Sequence, residues 1–208
     1  GQEYDYNSMY DNSATSTSSL LLYHCGVSVE MQYGEESSGA YVGFNAPGYD
    51  DFYASAENAF VDHFFYHEDI DYLCKSNDQS WCTSGSDLND EIWKEILKDN
   101  LDNGYPMIYV AVDYETDGCD GDSNNDGEPD GCGHAWNLDG YNDNLFHMNW
   151  GWGGDNNGYY SVNMLNPSGY KFDSQNSVLL GIQPPDGAIV SPRIMLESYN
   201  AYELSGDQ

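Results

Sequence analysis

The chain has 208 residues, 39 % of them hydrophobic and 15 % aromatic, and its 36 Asp and Glu against 5 Lys and Arg give a formal net charge of −31. That size and apolar content suit one domain with its own core, not an acidic disordered tail. The charge repels nucleic-acid phosphates and anionic membrane surfaces, so nucleic-acid binding is not expected, and no apolar run approaches the ~20 residues of a membrane-spanning helix.

No signal peptide opens the chain, and Gly1 is expected to mark a processing or truncation point. Residues 1–14 are polar and Tyr-rich, without a period. Ser13 to Cys25 is expected to be a helix, with Ser/Thr caps before Leu20, Leu21, Leu22 and Tyr23 and with Gly26 as its left-handed stop. Val27, Val29, Met31 and Tyr33 then alternate with Ser28, Glu30 and Gln32, the period of a half-buried strand, and residues 34–54 read as loop. A second helix is predicted over Ser55 to Tyr66, where Phe60 and Phe64 form one apolar row and Val61 and Phe65 the next. The clearest helix follows a cap at Ser86 or Asp87. It places Leu88, Ile92, Trp93, Ile96, Leu97 and Leu101 at helical spacing, with Gly104 beyond its end and Pro106 after that.

The apolar run Met107 to Val112 predicts a central strand, and further strands are expected near His134–Tyr141, Leu145–Trp150, Gly158–Asn163 and Ser177–Ile182. Asn142-Asp143 marks a tight hairpin between the first two of these. Helices first and an antiparallel sheet afterwards give an α+β class. One domain is read over 1–184, with an acidic insertion at 113–132, and 185–208 is read as a linker or the start of a following module.

Four of the five cysteines fall into two short-range pairs, Cys74 with Cys82 and Cys119 with Cys132, each flanking a polar loop as disulfides of an extracellular protein would. Cys25 is left over, either as a buried thiol or paired with a segment absent from these residues. The insertion contains eight acidic residues and no basic one, and reads D-x-N-x-D-G-x-P-D from Asp122 to Asp130. Alternating oxygen donors followed by a turning glycine are what Ca²⁺ requires, and the spacing resembles the aspartate-rich repeats of thrombospondin-type and dockerin-like loops. Asp120, Asp122, Asn124, Asp126 and Asp130 are the expected ligands of a structural Ca²⁺, which would brace the strand that begins at Gly133. High salt or seawater is the other way to relieve the charge, and composition does not choose between them.

The chemistry concentrates in GHAWNLDGY, beginning at Gly133, and LFHMNWGWGGDNNGYY, ending at Tyr160. If these strands pair through Asn142-Asp143, their outer ends meet and His134 neighbours Asn149-Trp150. An amide oxygen on one imidazole nitrogen fixes the tautomer, the other nitrogen can accept a thiol proton, and an indole over the pair keeps water away. His24, His63, His67 and His147 have no partner at metal-ligand spacing, and neither a phosphate-binding glycine loop nor a G-x-S-x-G elbow occurs.

These two segments resemble the C-terminal half of the streptopain family, secreted bacterial cysteine endopeptidases with a papain-like fold. The resemblance continues in LLLYHCGVSVEMQYGEESSGA, DEIWKEILKDNLDNGYPMIY and SVLLGIQP, and so covers most of residues 4–184; more distantly, NWGWGGDNNGYY is similar to the Asn-x-Trp-Gly turn of papain. It implies a barrel-like antiparallel sheet with packed helices, an extracellular bacterial setting, polypeptide substrates and no catalytic cofactor. It also implies His134 as general base, Asn149 as its orienting residue and Trp150 as the shielding indole, with Gly133, Gly151, Trp152, Gly153 and Gly154 lining the substrate cleft. The family's nucleophilic cysteine and oxyanion-hole glutamine lie in an N-terminal segment that these residues do not include. Cys25 falls where the family has a small or apolar residue ending a structural helix, so it is expected to be inert. A Cys-bearing fragment of the same precursor is therefore the expected partner. The alternative is a catalytically inactive, calcium-stabilised extracellular binding module on the same scaffold, distinguished by a parent that lacks the nucleophile.

Overall fold

The computed structural model describes residues 2–10, 13–35, 38–44, 53–76, 88–119, 121, 127 and 130–185. The first helix, α1 (Ser16–Ser28), starts in a capping box in which the Thr15 hydroxyl accepts from the Ser18 N–H and the Ser18 hydroxyl accepts from the Thr15 N–H. Gly26 is not its stop. It lies buried inside the helix, where an added Cβ would collide with the Tyr33 hydroxyl. The helix ends instead where Glu30 takes a left-handed φ of 50° and the Met31 N–H closes on the Gly26 carbonyl at 2.9 Å.

The half-buried strand expected from Val27 to Tyr33 is therefore reduced to two residues, β1 (Gln32–Tyr33), paired with β2 (Ser38–Gly39). The alternation of Val27 and Val29 belongs to a helix end, not to a sheet. Next comes α2 (Ala56–Asp62), capped by the Ser55 hydroxyl and shorter than its apolar rows suggest, because Phe65 turns left-handed at φ 61°. The strand β3 (Asp71–Cys74) has no counterpart in the sequence reading; it is a four-residue edge strand with only two buried positions.

The amphipathic helix α3 (Asp90–Asp102) is capped two to three residues later than the sequence candidates, by the Asn89 side chain accepting from the Glu91 and Ile92 N–H groups at 3.0 Å each. Trp93 and Leu97 are fully buried, and Gly104 follows with φ 83°. Truncating Leu97 to Ala would cost about 2–5 kcal/mol at such a site.

Five more strands complete the sheet: β4 (Met107–Asp113), β5 (Cys132–Asn142), β6 (Leu145–Asn149), β7 (Gly158–Tyr160) and β8 (Ser174–Leu180). Their order is β3-β8-β4-β5-β6-β7, antiparallel throughout, with β4 central as its apolar run predicts. The β5–β6 hairpin turns at Asp143, φ 55°, with Asn142 opposite Leu145. The outer strands β3 and β7 do not pair with each other, so the sheet is open and the expected barrel-like closure is not present.

Each face of the sheet has its own core. Alternation along β4 sends Met107, Tyr109 and Ala111 towards α3, Trp136 and Phe146, while Ile108 and Val110 pack with Tyr72, Leu179 and α2. Across the first core the Trp93 indole donates to the Tyr109 hydroxyl at 3.0 Å, which donates to Asn176 Oδ1 at 2.7 Å, tying α3, β4 and β8 together. Among the described residues no helix is long and apolar enough to cross a membrane. The 186–208 part of the expected linker lies outside the described residues.

Candidate active site

The first core surfaces at the start of β5. Here His134 stands opposite Ala111, on the same face as Trp136, whose indole N–H points at Met148 Sδ at 3.1 Å. At the end of β6 the chain enters a turn built by three glycines, Gly151, Gly153 and Gly154, at φ 78°, 67° and 97°. An added Cβ would meet nothing at any of them, so glycine is needed there for backbone conformation and not for space. Two asparagines hold the turn: Asn157 Oδ1 accepts from the Trp150 N–H at 3.0 Å and Asn149 Oδ1 accepts from the Gly151 N–H at 3.2 Å.

This turn delivers two groups to His134. The main-chain carbonyl of Trp150 sits 2.9 Å from His134 Nε2. A carbonyl only accepts, so Nε2 carries the proton and Nδ1 keeps its lone pair. Nδ1 has no hydrogen-bond partner among the described residues. The second group is the Trp152 ring, nearly parallel to the imidazole at 23° with centroids 5.0 Å apart. Trp136, Trp150 and Phe172 complete the aromatic surround at 5.8, 6.4 and 5.6 Å. Burial pushes the imidazole below its ordinary range, and the hydrogen bond to the Trp150 carbonyl offsets part of that. The result is a neutral, tautomer-fixed imidazole with one open basic nitrogen.

The outer ends of β5 and β6 do come together, yet the amide of Asn149 is on the turn and not on the ring. Alternation along β6 puts Met148 on the His134 face and Asn149 on the other, so the orienting acceptor on His134 is backbone. Trp150 is fully buried, and its indole N–H has no hydrogen-bond partner among the described residues. Gly133 is exposed on β5, with open space where a side chain would be.

Cys119 and Cys132 are joined, with Cα atoms 5.0 Å apart, and Cys132 is the first residue of β5. Cys74 is also disulfide-bonded, and Cys82 lies outside the described residues. Of the expected calcium ligands only Asp130 is described; it is exposed and its N–H donates to the Gly121 carbonyl at 2.7 Å, while Asp120, Asp122, Asn124 and Asp126 lie outside. Cys25 is the free cysteine of the described residues, on α1 and partly buried, and burial pushes its thiol up.

Sequence reasoning missed Asp113, Asn157, Tyr170 and Phe172. Asp113 is buried at the end of β4. Its Oδ1 accepts from the Glu115 and Thr116 N–H groups at 2.8 and 3.0 Å, and its Oδ2 accepts from the Lys171 N–H at 2.8 Å. Burial alone would raise the carboxyl; the hydrogen bonds from Thr116, Lys171 and Glu115 outweigh it and hold the group at about 2. Its signal was a carboxylate ending the apolar run at 107–112; that of Tyr170 and Phe172 was an aromatic pair two residues apart, one strand period.

Comparison with known proteins follows the same lines. The family model described as peptidase C10 matches residues 1–160. The thiol protease/hemagglutinin PrtT of Porphyromonas gingivalis is 28 % identical over 219 residues, covering 94 % of this chain and 20 % of that protein. Streptopain of Streptococcus pyogenes is 25 % identical over 192 residues, covering 86 % of this chain and 38 % of its own. In the solved structure of active wild-type interpain A, a cysteine protease of Prevotella intermedia, 31 % of residues are identical and the TM-score is 0.56, over 85 % of this chain and 63 % of that one. The chain thus spans well under half the length of both curated relatives, and its fold is that of a papain-like cysteine protease.

Proposed function

The chain belongs to the peptidase C10 family, and from that premise we propose that it is the base-bearing part of a secreted bacterial cysteine endopeptidase whose nucleophilic cysteine lies on another segment of the same precursor. The single observation that carries the reading is His134, its Nε2–H committed to the Trp150 carbonyl, its Nδ1 open and its ring under Trp152. A thiol placed within hydrogen-bond reach of Nδ1 loses its proton to His134, the thiolate attacks the peptide carbonyl, and the imidazolium returns the proton to the leaving amine as the C–N bond breaks; His134 then takes a proton from a water that attacks the thioester, and gives it to the departing thiolate as the acid product is released. Trp150, Trp152 and Phe172 keep water from the imidazole, and Asn149 acts one step back by holding the turn that presents the Trp150 carbonyl.

Two features support a separate nucleophile segment. Cys25 is on α1 with its thiol pushed up by burial, the opposite of an activated cysteine. The α1 helix also exposes Leu20, Leu22, Tyr23 and Val27, at 37, 69, 63 and 57 %, apolar surface that a packed segment of the precursor would cover in part. The Cys119–Cys132 bridge supports an oxidising, extracellular setting. The acidic loop it closes is proposed to bind structural Ca²⁺ through Asp120, Asp122, Asn124, Asp126 and Asp130, and the net charge of −31 suits a saline medium.

The test uses the full precursor and a denatured protein substrate. Hydrolysis that is blocked by an alkylating agent, with the adduct mapped outside these 208 residues, and that is lost in His134→Ala supports the reading. Undiminished hydrolysis in His134→Ala, or inactivation that maps to Cys25, overturns it.

A further inference from the structure

Beside His134 the aromatic surface does not stop at Trp152. The Trp152 ring meets Tyr170 at 5.8 Å and 44°, and Tyr170 stacks on buried Phe172 at 5.2 Å and 15°. Trp152 and Tyr170 are each only partly buried, so part of each ring is open to a further contact. Nothing in the proton transfer assigned to His134 uses Tyr170.

The loop that presents Tyr170 is held from several sides. Ser168 and Gly169 take φ 53° and 93°, and the Tyr170 N–H closes on the Pro167 carbonyl at 3.0 Å. Thr116 Oγ1 donates to the Gly169 carbonyl at 3.3 Å, and the Lys171 N–H is held by Asp113. The Lys171 ammonium is paired with Glu115. Two aromatic rings fixed in this way bind a third with little ordering penalty, because their rotamers and backbone are already set. With the adjacent lysine neutralised and the chain at −31, an anionic side chain has no attraction to this place, whereas a neutral ring has both area and edge-to-face geometry available.

We infer that Trp152 and Tyr170 form an aromatic subsite beside His134 that binds a Phe or Tyr side chain of the polypeptide substrate next to the bond being cut, an inference that rests on the peptidase reading above. Tyr170 is a specificity-determining residue in this arrangement, acting through its ring and not through its hydroxyl.

The experiment takes the full precursor and a set of peptides that differ only in having Phe, Tyr, Gly or Asp at one position beside the scissile bond, on each side in turn. On one side the wild type and Tyr170→Phe are expected to prefer Phe over Gly by about tenfold in kcat/KM, with Asp worst. In Tyr170→Ser the preference falls to about twofold or less, through KM. Binding of uncleavable versions of the Phe and Gly peptides is measured in parallel. An unchanged preference in Tyr170→Ser, or equal affinity of the wild type for the Phe and Gly peptides, overturns the subsite. If no peptide is cut, yet the Phe peptide binds the wild type more tightly than it binds Tyr170→Ser, the subsite stands and the peptidase reading falls.

Discussion

His134 Nε2 donates to the main-chain carbonyl of Trp150 at 2.9 Å, so the imidazole is oriented by the backbone of the turn that follows its partner strand. The position of that carbonyl depends on Gly151, whose φ of 78° an L side chain rarely adopts although no atom occupies the space a Cβ would fill. Gly151→Ala is therefore expected to strain the turn by roughly 1–2 kcal/mol and to swing the carbonyl off Nε2. Hydrolysis by the full precursor should fall by at least tenfold in kcat, with a fall of only a few degrees in the melting temperature. NMR of the imidazole nitrogens checks the cause: the wild type shows the Nε2–H tautomer, and Gly151→Ala a mixture.

The two histidines of the β5–β6 hairpin should titrate with opposite consequences for stability. Burial lowers His134 below its ordinary 6.5, so the unfolded chain binds the extra proton; its contribution to stability is full above pH 6.5 and is lost as pH falls through that value towards the folded one. His147 is raised from 6.5, chiefly by its hydrogen bond to Asp139 Oδ1 at 2.6 Å. Its contribution is full below pH 6.5 and is lost as pH rises through the folded value. Melting temperatures measured from pH 5 to 8 should show His134→Ala removing the acid-side loss and His147→Ala removing the alkaline-side one. Identical profiles for the two variants would contradict both assignments.

Asp113 joins β4 to the loop that carries Tyr170 and Phe172. Asp113→Ala leaves the Glu115, Thr116 and Lys171 N–H groups without their acceptor, a loss of about 1–3 kcal/mol for each one left buried and unsatisfied. Asp113→Asn keeps one acceptor oxygen and turns an amide donor towards another, so it should recover only part of the loss. Because the folded carboxyl sits at about 2 against an ordinary 3.8, its contribution is present above pH 3.8 and is lost as pH falls through about 2. Acid unfolding followed by circular dichroism should show that component in the wild type and not in Asp113→Asn.

How far the sequence carried varies with the kind of signal. The α3 helix and β4 were legible because burial imposes its period on many residues at once: Trp93 and Leu97 at helical spacing, and an unbroken apolar run for the strand covered on both faces. A tight turn at Asn142-Asp143 was legible because a left-handed residue in a two-residue hairpin restricts residue type, although the turning pair is Asp143-Asn144 and Asn142 still belongs to β5. Gly26 misled because a glycine ending an apolar run suggests a stop, whereas here it makes room for the Tyr33 hydroxyl within the helix. Closure of the sheet depends on whether β3 and β7 meet, and β3 is too short to announce itself. At the candidate site, a side-chain motif pointed to this segment, but the acceptor on His134 is a main-chain oxygen, which leaves no mark on residue identity.

The Cys119–Cys132 bridge spans a sequence separation of 13 and ends at the first residue of β5, two positions before His134. Constraining a loop of this order is worth roughly 3 kcal/mol in the chain-entropy model. The bridge also sits against the Asp113 network, since Cys132 pairs with Asp113 across β4 and β5, and the Gly131 N–H donates to the Cys119 carbonyl at 3.1 Å. Replacing both cysteines with serine should therefore lower the melting temperature by several degrees and loosen the start of β5 more than its hairpin end. Hydrogen exchange can separate these effects: faster exchange is expected at Gly133 and His134, with little change at Tyr141 and Phe146. If Gly133 and His134 exchange no faster in the double variant than in the wild type, the bridge merely closes a surface loop and does not brace the strand that carries His134.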